Sequence, residues 1–291
     1  MTKQIEESWK KDLNQLLVNG MVYPNSTDYT KIGYYYNVVA PTHLYKFYAD
    51  NERNVKTVFN NKMWYSAPVC FNDPYDCDFT IDKRATINSL LSSIAQENNM
   101  KKGSAAWREA HIVLEKEFPN FANTIDNLKS SMGVACLSEN YDTVLMWSHY
   151  ANNHKGICVE YKLLDFNKKL HFTPIPVIYS NKKNALNRLR FNYIEYDIMS
   201  FFVKSLVCKG ESWKYENEWR IIREDKACDE QWDDKNHGAL LDSVRPVSVI
   251  LGCNAEPEFE EKIQTECKSQ GIRVYKMVKR TSDYGMSRVE L

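Results

Sequence analysis

The chain has 291 residues, and its 38 basic and 38 acidic side chains give a formal net charge of zero. At about 100–200 residues per domain, this length allows one large domain or two smaller ones. A balanced charge excludes a protein whose whole surface attracts nucleic acid or membrane lipid. Aromatic residues make up 13% of the chain, which excludes a disordered chain and is typical of a globular protein with aromatic-lined pockets.

The N-terminal residues and the cysteines indicate the cellular compartment. The first residues carry charges of both signs and lack an apolar core, so they do not resemble a secretory signal. No apolar run approaches the roughly 18 residues that a membrane span needs. The eight cysteines are dispersed and contain no Cys-x-x-Cys pair. We expect reduced, mostly buried thiols in a cytoplasmic protein that does not contact a membrane.

The first half of the chain is predicted to run from a helical segment into an α+β core. Apolar residues from Ile5 to Leu17 recur at helical spacing, so residues 1–40 are predicted to be an N-terminal helical segment. The core is predicted to occupy residues 41–225, with helical stripes over 83–132 as an insertion. Its first elements are predicted as a strand at 43–48, a helix at 51–61 and a strand at 63–67.

The second half continues the core and adds a C-terminal extension of the same unit over residues 226–291. The core elements predicted there are a strand at 133–138, a helix at 143–151, a strand at 156–161, an extended edge segment at 172–179, a helix at 185–207 and a turn that leads into a strand over 213–222. The extension is predicted as strand–helix–strand over 247–251, 256–269 and 272–278. The whole is predicted to be a mixed α/β protein of the α+β class.

Two groups of polar residues in the first half are not readily explained by packing. The first is Leu44-Tyr-Lys-Phe47 on the first core strand, which contains Tyr45 and Lys46. The second contains Ser66 and then Asn72-Asp73-Pro74, which is a strong turn signal because Asn and Asp bond nearby backbone amides and Pro fixes the next φ. A purely structural turn explains this second group equally simply.

A third group lies on the helix at 143–151 and just after it. Trp147 and Tyr150 are three residues apart and share a helix face, a spacing more often found in a core than on a binding surface. Ser148, His149 and His154 make the segment unusual. The two histidines are five residues apart, which departs from the i, i+4 spacing of a helical zinc pair, so we predict no metal.

The fourth group contains two carboxylates, Glu216 and Glu218, on a predicted strand. Alternation places both on one face, with Arg220 next along it. Surface strands also carry such charges. A carboxylate pair at the mouth of a sheet can hydrogen-bond sugar hydroxyls or stabilise a cationic transition state.

Together these groups resemble the bacterial domain-of-unknown-function 2971 family, over roughly residues 44 to 225. The residues that carry the resemblance are Leu44-Tyr-Lys-Phe47, Phe71-Asn-Asp-Pro74, Met146-Trp-Ser-His-Tyr-Ala151 with His154 and Gly156, and Glu216-Asn-Glu-Trp-Arg220.

The order of elements is also similar to the ADP-ribosyltransferase fold, in its poly-ADP-ribose-polymerase-like branch. Tyr215-Glu-Asn-Glu-Trp-Arg-Ile221 resembles the catalytic strand of that branch, which implies that Glu218 is the catalytic glutamate. Lys46 stands where the branch has an NAD-binding histidine, so this chain departs from the pattern there. The resemblance implies a split β-sheet core with a helical insertion.

The resemblance implies a toxin-like enzyme that transfers ADP-ribose from NAD to a macromolecular acceptor, RNA or protein. Glu218 and Glu216 would be its catalytic residues. A cognate antitoxin would be a partner, in a toxin–antitoxin or phage-defence system. The residues expected to bind NAD are Tyr45, Lys46, Ser66, Asn72, Asp73, Ser138, Trp147, His149, Tyr150, His154 and Arg220.

Two other functions stay open at this stage. A non-catalytic module could use the same pocket to bind a nucleotide or nucleic acid, and Lys46 in place of the histidine supports this alternative. A zinc hydrolase built from His149, His154 and a cysteine is the third possibility, and the spacing of these residues matches no common zinc site.

Overall fold

A computed structural model describes residues 2–170, 173–224 and 232–291, and it shows the mixed α/β protein that the sequence predicts. The α-helices are α1 (Thr2–Val22), α2 (Tyr29–Tyr34), α3 (Glu52–Phe59), α4 (Lys83–Glu97), α5 (Ala105–Asn127), α6 (Val144–Tyr150), α7 (Leu163–Leu170), α8 (Ile194–Leu206) and α9 (Pro257–Gln270). The strands are β1 (His43–Tyr48), β2 (Lys62–Ser66), β3 (Phe79–Ile81), β4 (Met132–Ser138), β5 (Ile157–Lys162), β6 (Ile175–Pro176), β7 (Ile178–Tyr179), β8 (Asn184–Leu186), β9 (Cys208–Lys209), β10 (Glu218–Glu224), β11 (Trp232–Asp233), β12 (Gly238–Asp242), β13 (Ser248–Leu251), β14 (Arg273–Lys279) and β15 (Met286–Glu290).

The chain divides into two compact units, each assembled from three stretches of sequence. Unit 1 comprises Met1–Ile32, Ala67–Met132 and Ile178–Glu211, and unit 2 comprises Gly33–Ser66, Gly133–Val177 and Ser212–Leu291. Helices dominate unit 1, in which α1 packs on α8 and α4 packs on α5. The contiguous segments 1–40, 41–225 and 226–291 stay a prediction.

Unit 2 is organised by a large mixed sheet, whose main path is β11-β12-β2-β4-β1-β5-β13-β14-β15. Five of the six residues of β5 are buried, as expected for a strand with neighbours on both sides and cover on both faces. Its register aligns Glu160 with Tyr45 on β1 and with Ser248 on β13. These three side chains therefore form one row across a single face of the sheet.

An apolar cluster on this face holds α6 against β1. Trp147 of α6 is completely buried and meets the ring of Phe47 edge-on at 5.3 Å. Its indole Nε1 donates a 2.6 Å hydrogen bond to the carbonyl of Tyr141. Burial of a large side chain of this kind stabilises the fold by about 1.5–3 kcal/mol. Trp147 therefore fixes both the helix and the loop before it.

The sheet branches at β4. This strand lies between β2 and β1 on the main path, and it also pairs with β10, which in turn pairs with β6. The backbone amide of Glu139 donates to the carbonyl of Asn217, so the end of β4 lies beside the start of β10. The branch thereby brings the residues around Glu216 and Glu218 next to Ser138.

Most predicted elements form, but the helix expected over 185–207 is wrong in its first half. Asn184–Leu186 is a strand that pairs in parallel with β3, and the helix begins only at Ile194. Leu186 and Leu189 have the spacing of neighbours on one helix face, yet both lie in non-helical chain and are buried there by tertiary packing. A local apolar period cannot distinguish these cases. Of the extended segment 172–179, residue 172 lies outside the described residues, and the rest contains two short strands, β6 and β7.

Two expectations on composition can be compared with the described part of the chain. The seven cysteines of this part are not joined to one another by disulfides, and three of them, rather than most, are buried: Cys77, Cys158 and Cys267. The described helices include none with the length and hydropathy needed to cross a membrane.

Candidate functional site

Glu218 and Arg220 form a buried ion pair on β10. The guanidinium Nε lies 2.8 Å from Oε1 of Glu218, and Nη2 lies 3.0 Å from Oε2. The exposed fraction is 4% for Glu218 and zero for Arg220. A bidentate pair of this geometry is among the strongest charge-assisted hydrogen bonds. It holds the Glu218 carboxylate in one orientation.

Two further polar groups lie near that carboxylate. Burial and then the Glu218 charge raise the pKa of the Cys136 thiol well above its usual range, so this thiol is protonated and unreactive at neutral pH. The Lys46 ammonium donates a 3.0 Å hydrogen bond to the Cys136 carbonyl. Removal from water lowers the pKa of Lys46, while electrostatic interactions with Cys136 and Glu218 oppose that change.

Glu216 does not lie on the strand where alternation predicted it. It ends a 3₁₀ turn, Glu211–Glu216, and the strand begins at Glu218 after Asn217, whose φ is 42°. Asn is among the residues that tolerate this left-handed conformation best. The two carboxylates are therefore separated by a residue in the left-handed conformation and do not share a strand face. This corrects the expected arrangement.

Glu216 is nevertheless held in place, through partners of its own. Its carboxylate accepts a 2.7 Å hydrogen bond from the Tyr150 hydroxyl, and it is only 2% exposed. The Ser138 hydroxyl donates to the Glu216 carbonyl at 2.6 Å. Tyr150 and Ser138, both expected to bind NAD, thus position a predicted catalytic residue.

The structure limits what Trp147 and Arg220 can contact. Trp147, one of the residues expected to bind NAD, is completely buried, so its ring has no surface open to a ligand in this conformation. Tyr150, which is partly exposed on the same helix, is the ring that a ligand can reach. Arg220, also expected to bind NAD, is completely buried as well, and its guanidinium orders the Glu218 carboxylate.

The two histidines occupy different surroundings. His149 is exposed, with its ring 6.5 Å from that of Trp213. His154 lies parallel to the Trp147 ring, and its Nε2 is 3.1 Å from the Ser148 hydroxyl oxygen. Burial, and then the charge of Lys279, lower the pKa of His154 below its usual value. The described residues contain no group of three or more His, Cys, Asp or Glu side chains arranged to hold a metal.

Tyr45 belongs to a polar network that sequence reasoning missed. Its hydroxyl donates to Oε1 of Glu160 at 2.9 Å, while the Ser248 hydroxyl donates to Oε2. Arg288 lies 3.6 Å from the same carboxylate. Burial opposes ionisation of Glu160, but the two hydrogen bonds and the arginine charge outweigh it and lower the pKa of the carboxyl. No local motif marks Ser248 or Arg288, because strand register alone brings them here.

The remaining predicted residues lie at the margin of this site or in the other unit. Ser66 ends β2 and is paired across the sheet with Gly238 and Val134. Asn72 and Asp73 belong to unit 1. There the Asp73 carboxylate accepts a 2.9 Å bond from the amide of Tyr75, the local turn contact that the sequence pattern predicted.

The fold and the site define a mixed α/β protein whose polar site lies where a sheet branches. Residues 146–221 match the family described as "Protein of unknown function (DUF2971)". The resemblance to that family is therefore confirmed over these residues, which run from α6 to β10 and contain Tyr150, Glu216 and Glu218. Searches of curated proteins and of solved structures found no match.

Proposed function

We propose that unit 2 is an ADP-ribosyltransferase that uses NAD as the donor of ADP-ribose. The observation that carries the proposal is the pair of buried carboxylates around Asn217, each held by its own partner. Arg220 fixes Glu218 and Tyr150 fixes Glu216. Preorganised acceptors in a water-poor site stabilise developing positive charge better than mobile ones in water.

The proposed reaction breaks the bond between C1′ of the ribose and the nicotinamide nitrogen. Nicotinamide leaves with the bonding electron pair, and the ribose becomes cationic. Arg220 holds the Glu218 carboxylate, which is the proposed acceptor of a hydrogen bond from the ribose 2′-hydroxyl. That bond strengthens as charge develops, so it favours the transition state over the bound substrate.

Transfer is completed when an acceptor nucleophile bonds to C1′ and loses its proton. Glu216 is the proposed base for that proton, with the Tyr150 hydroxyl keeping its carboxylate in place. The acceptor is RNA or protein, and a toxin-like role with a restraining antitoxin follows only from the fold resemblance. Treatment of labelled lysate with RNase or protease distinguishes the two acceptor classes.

A second function is favoured by one observation, namely that the Glu218 carboxylate is buried and bonded to Arg220. A carboxylate that is 4% exposed and bound on both oxygens also suits a structural role beneath a binding surface. Unit 2 would then be a non-catalytic module that binds a nucleotide or nucleic acid. This alternative predicts saturable binding without turnover.

The test measures nicotinamide release and transfer of label from NAD to a cell lysate. Glu218→Gln keeps the shape and one acceptor oxygen but removes the charge, so we expect activity to fall about 10²- to 10³-fold. Glu258→Gln, on the exposed surface of α9, is the matched control and should be as active as the unmodified protein. Absence of both release and transfer in the unmodified protein would refute the enzyme and leave the binding module.

A further inference from the structure

Arg288 on β15 is a cation that neither sequence motifs nor the proposed chemistry uses. Its guanidinium carbon lies 4.6 Å from the ring centroid of Tyr141 and 4.6 Å from that of Tyr275. Contacts with two aromatic rings restrict the side chain and favour the charged form. The side chain keeps 27% of its surface exposed, so a ligand can reach it.

The strand register explains why two rings meet this arginine. Arg288 lies directly opposite Met277 on β14, and Tyr275 is therefore its diagonal neighbour on the same face. Tyr141 comes from the loop before α6, where the bond from the Trp147 indole fixes its carbonyl. The arginine is thus held by two elements that are themselves anchored.

The donors of Arg288 are not consumed by Glu160. Tyr45 and Ser248 each donate a hydrogen bond to that carboxylate, and its distance of 3.6 Å from the arginine is longer than a hydrogen bond. Nη1 of Arg288 is buried and has no hydrogen-bond partner among the described residues, so a ligand would contact the exposed remainder of the guanidinium. A rigid guanidinium with unused donors is well suited to the paired oxygens of a phosphate group.

The position of Arg288 connects it to the carboxylate site. Tyr141 lies 5.3 Å from the ring of Tyr45, which is paired across the sheet with Ser138. Ser138 in turn holds the backbone of Glu216. A run of direct contacts therefore joins the arginine to the proposed catalytic residues within unit 2.

We propose that Arg288 binds the diphosphate of a nucleotide ligand on this face of the sheet. The assignment of that nucleotide as NAD rests on the proposed function, whereas diphosphate binding rests on the arginine's own contacts. Arg220 and Lys46, two cations expected to bind NAD, are engaged with Glu218 and with the Cys136 carbonyl. Arg288 takes the role that these two residues leave open.

The test is calorimetric titration of the full chain with inorganic pyrophosphate, ADP-ribose and adenosine. Arg288→Gln should weaken binding of the two diphosphates about 10- to 100-fold, the loss expected for charge-assisted hydrogen bonds, and leave adenosine unchanged. Arg288→Lys keeps the charge without the planar fork and should give an intermediate loss. Arg273→Gln, an exposed arginine on β14, is the matched control.

Each outcome decides between the two proposals. If neither diphosphate binds the unmodified protein, or if Arg288→Gln binds them equally well, the role of Arg288 is refuted. If the variant loses diphosphate binding and the unmodified protein releases no nicotinamide, Arg288 keeps its role and the transferase is refuted. If nicotinamide is released and Arg288→Gln leaves the KM for NAD unchanged, the transferase stands without Arg288. Circular dichroism of each variant verifies folding, and Arg288→Lys replaces Arg288→Gln if the latter unfolds.

Discussion

Replacement of Arg220 by Met should destabilise unit 2 strongly. Arg220 is completely buried, and its removal leaves the Glu218 carboxylate, only 4% exposed, without its main counter-charge. Removal of one partner of a buried ion pair costs about 3–5 kcal/mol. An exposed pair of comparable distance, Lys155 with Glu256 at 3.0 Å, should contribute only about 0.2–1 kcal/mol.

The assay is urea unfolding followed by circular dichroism, with Lys155→Met as the control and the double variant Glu218→Leu/Arg220→Met as the decisive sample. Because the double variant removes both charges of the pair, it should lose less stability than Arg220→Met alone. A single variant as stable as the control would show that Glu218 is solvated. The two charges are not coupled if the double variant loses as much stability as Glu218→Leu and Arg220→Met lose when their separate effects are added.

Three further changes test other parts of the structure. Lys209→Met in unit 1 removes the cation 3.2 Å from buried Asp76, and urea unfolding should show a loss of about 3–5 kcal/mol. Gly156→Ala places a Cβ 2.0 Å from a backbone carbonyl oxygen and should lower the melting temperature by several degrees, whereas Gly33→Ala, with open space around it, should not lower it. The pKa of His154 is lowered by burial, so the unfolded chain takes up its proton first and stability should fall as the pH drops below about 6.5. His154→Asn, which also tolerates positive φ, should flatten the dependence of the melting temperature on pH between about 7.5 and 5.5.

Sequence reasoning succeeded where the signal is local. The helical spacing of apolar residues over 83–132 correctly predicted the helices α4 and α5. The apolar run from Ile157 to Tyr161 correctly predicted a buried strand. Glu218 and Arg220 were correctly placed on one strand face because alternation is a property of a single strand. The family resemblance rested on short motifs of this local kind.

Sequence reasoning failed where tertiary pairing decides the outcome. Residues 184–186 are a strand because β3 pairs with them, and the apolar spacing within the segment cannot predict that pairing. The positive φ of Asn217 separates Glu216 from the strand that begins at Glu218, although the alternating pattern of the sequence extends across all three residues. Arg288 joins Glu160 only through the order β5-β13-β14-β15, which follows from the whole sheet.

The most direct measurement of the central proposal is a crystal structure of the full chain with NAD. The account predicts a Glu218 carboxylate oxygen within about 2.6–3.2 Å of the 2′-hydroxyl of the nicotinamide ribose, which is hydrogen-bond distance. It also predicts that the Arg288 guanidinium contacts the pyrophosphate. Electron density for NAD away from Glu218, with Glu218 still bonded only to protein groups such as Arg220, would contradict the proposed transferase.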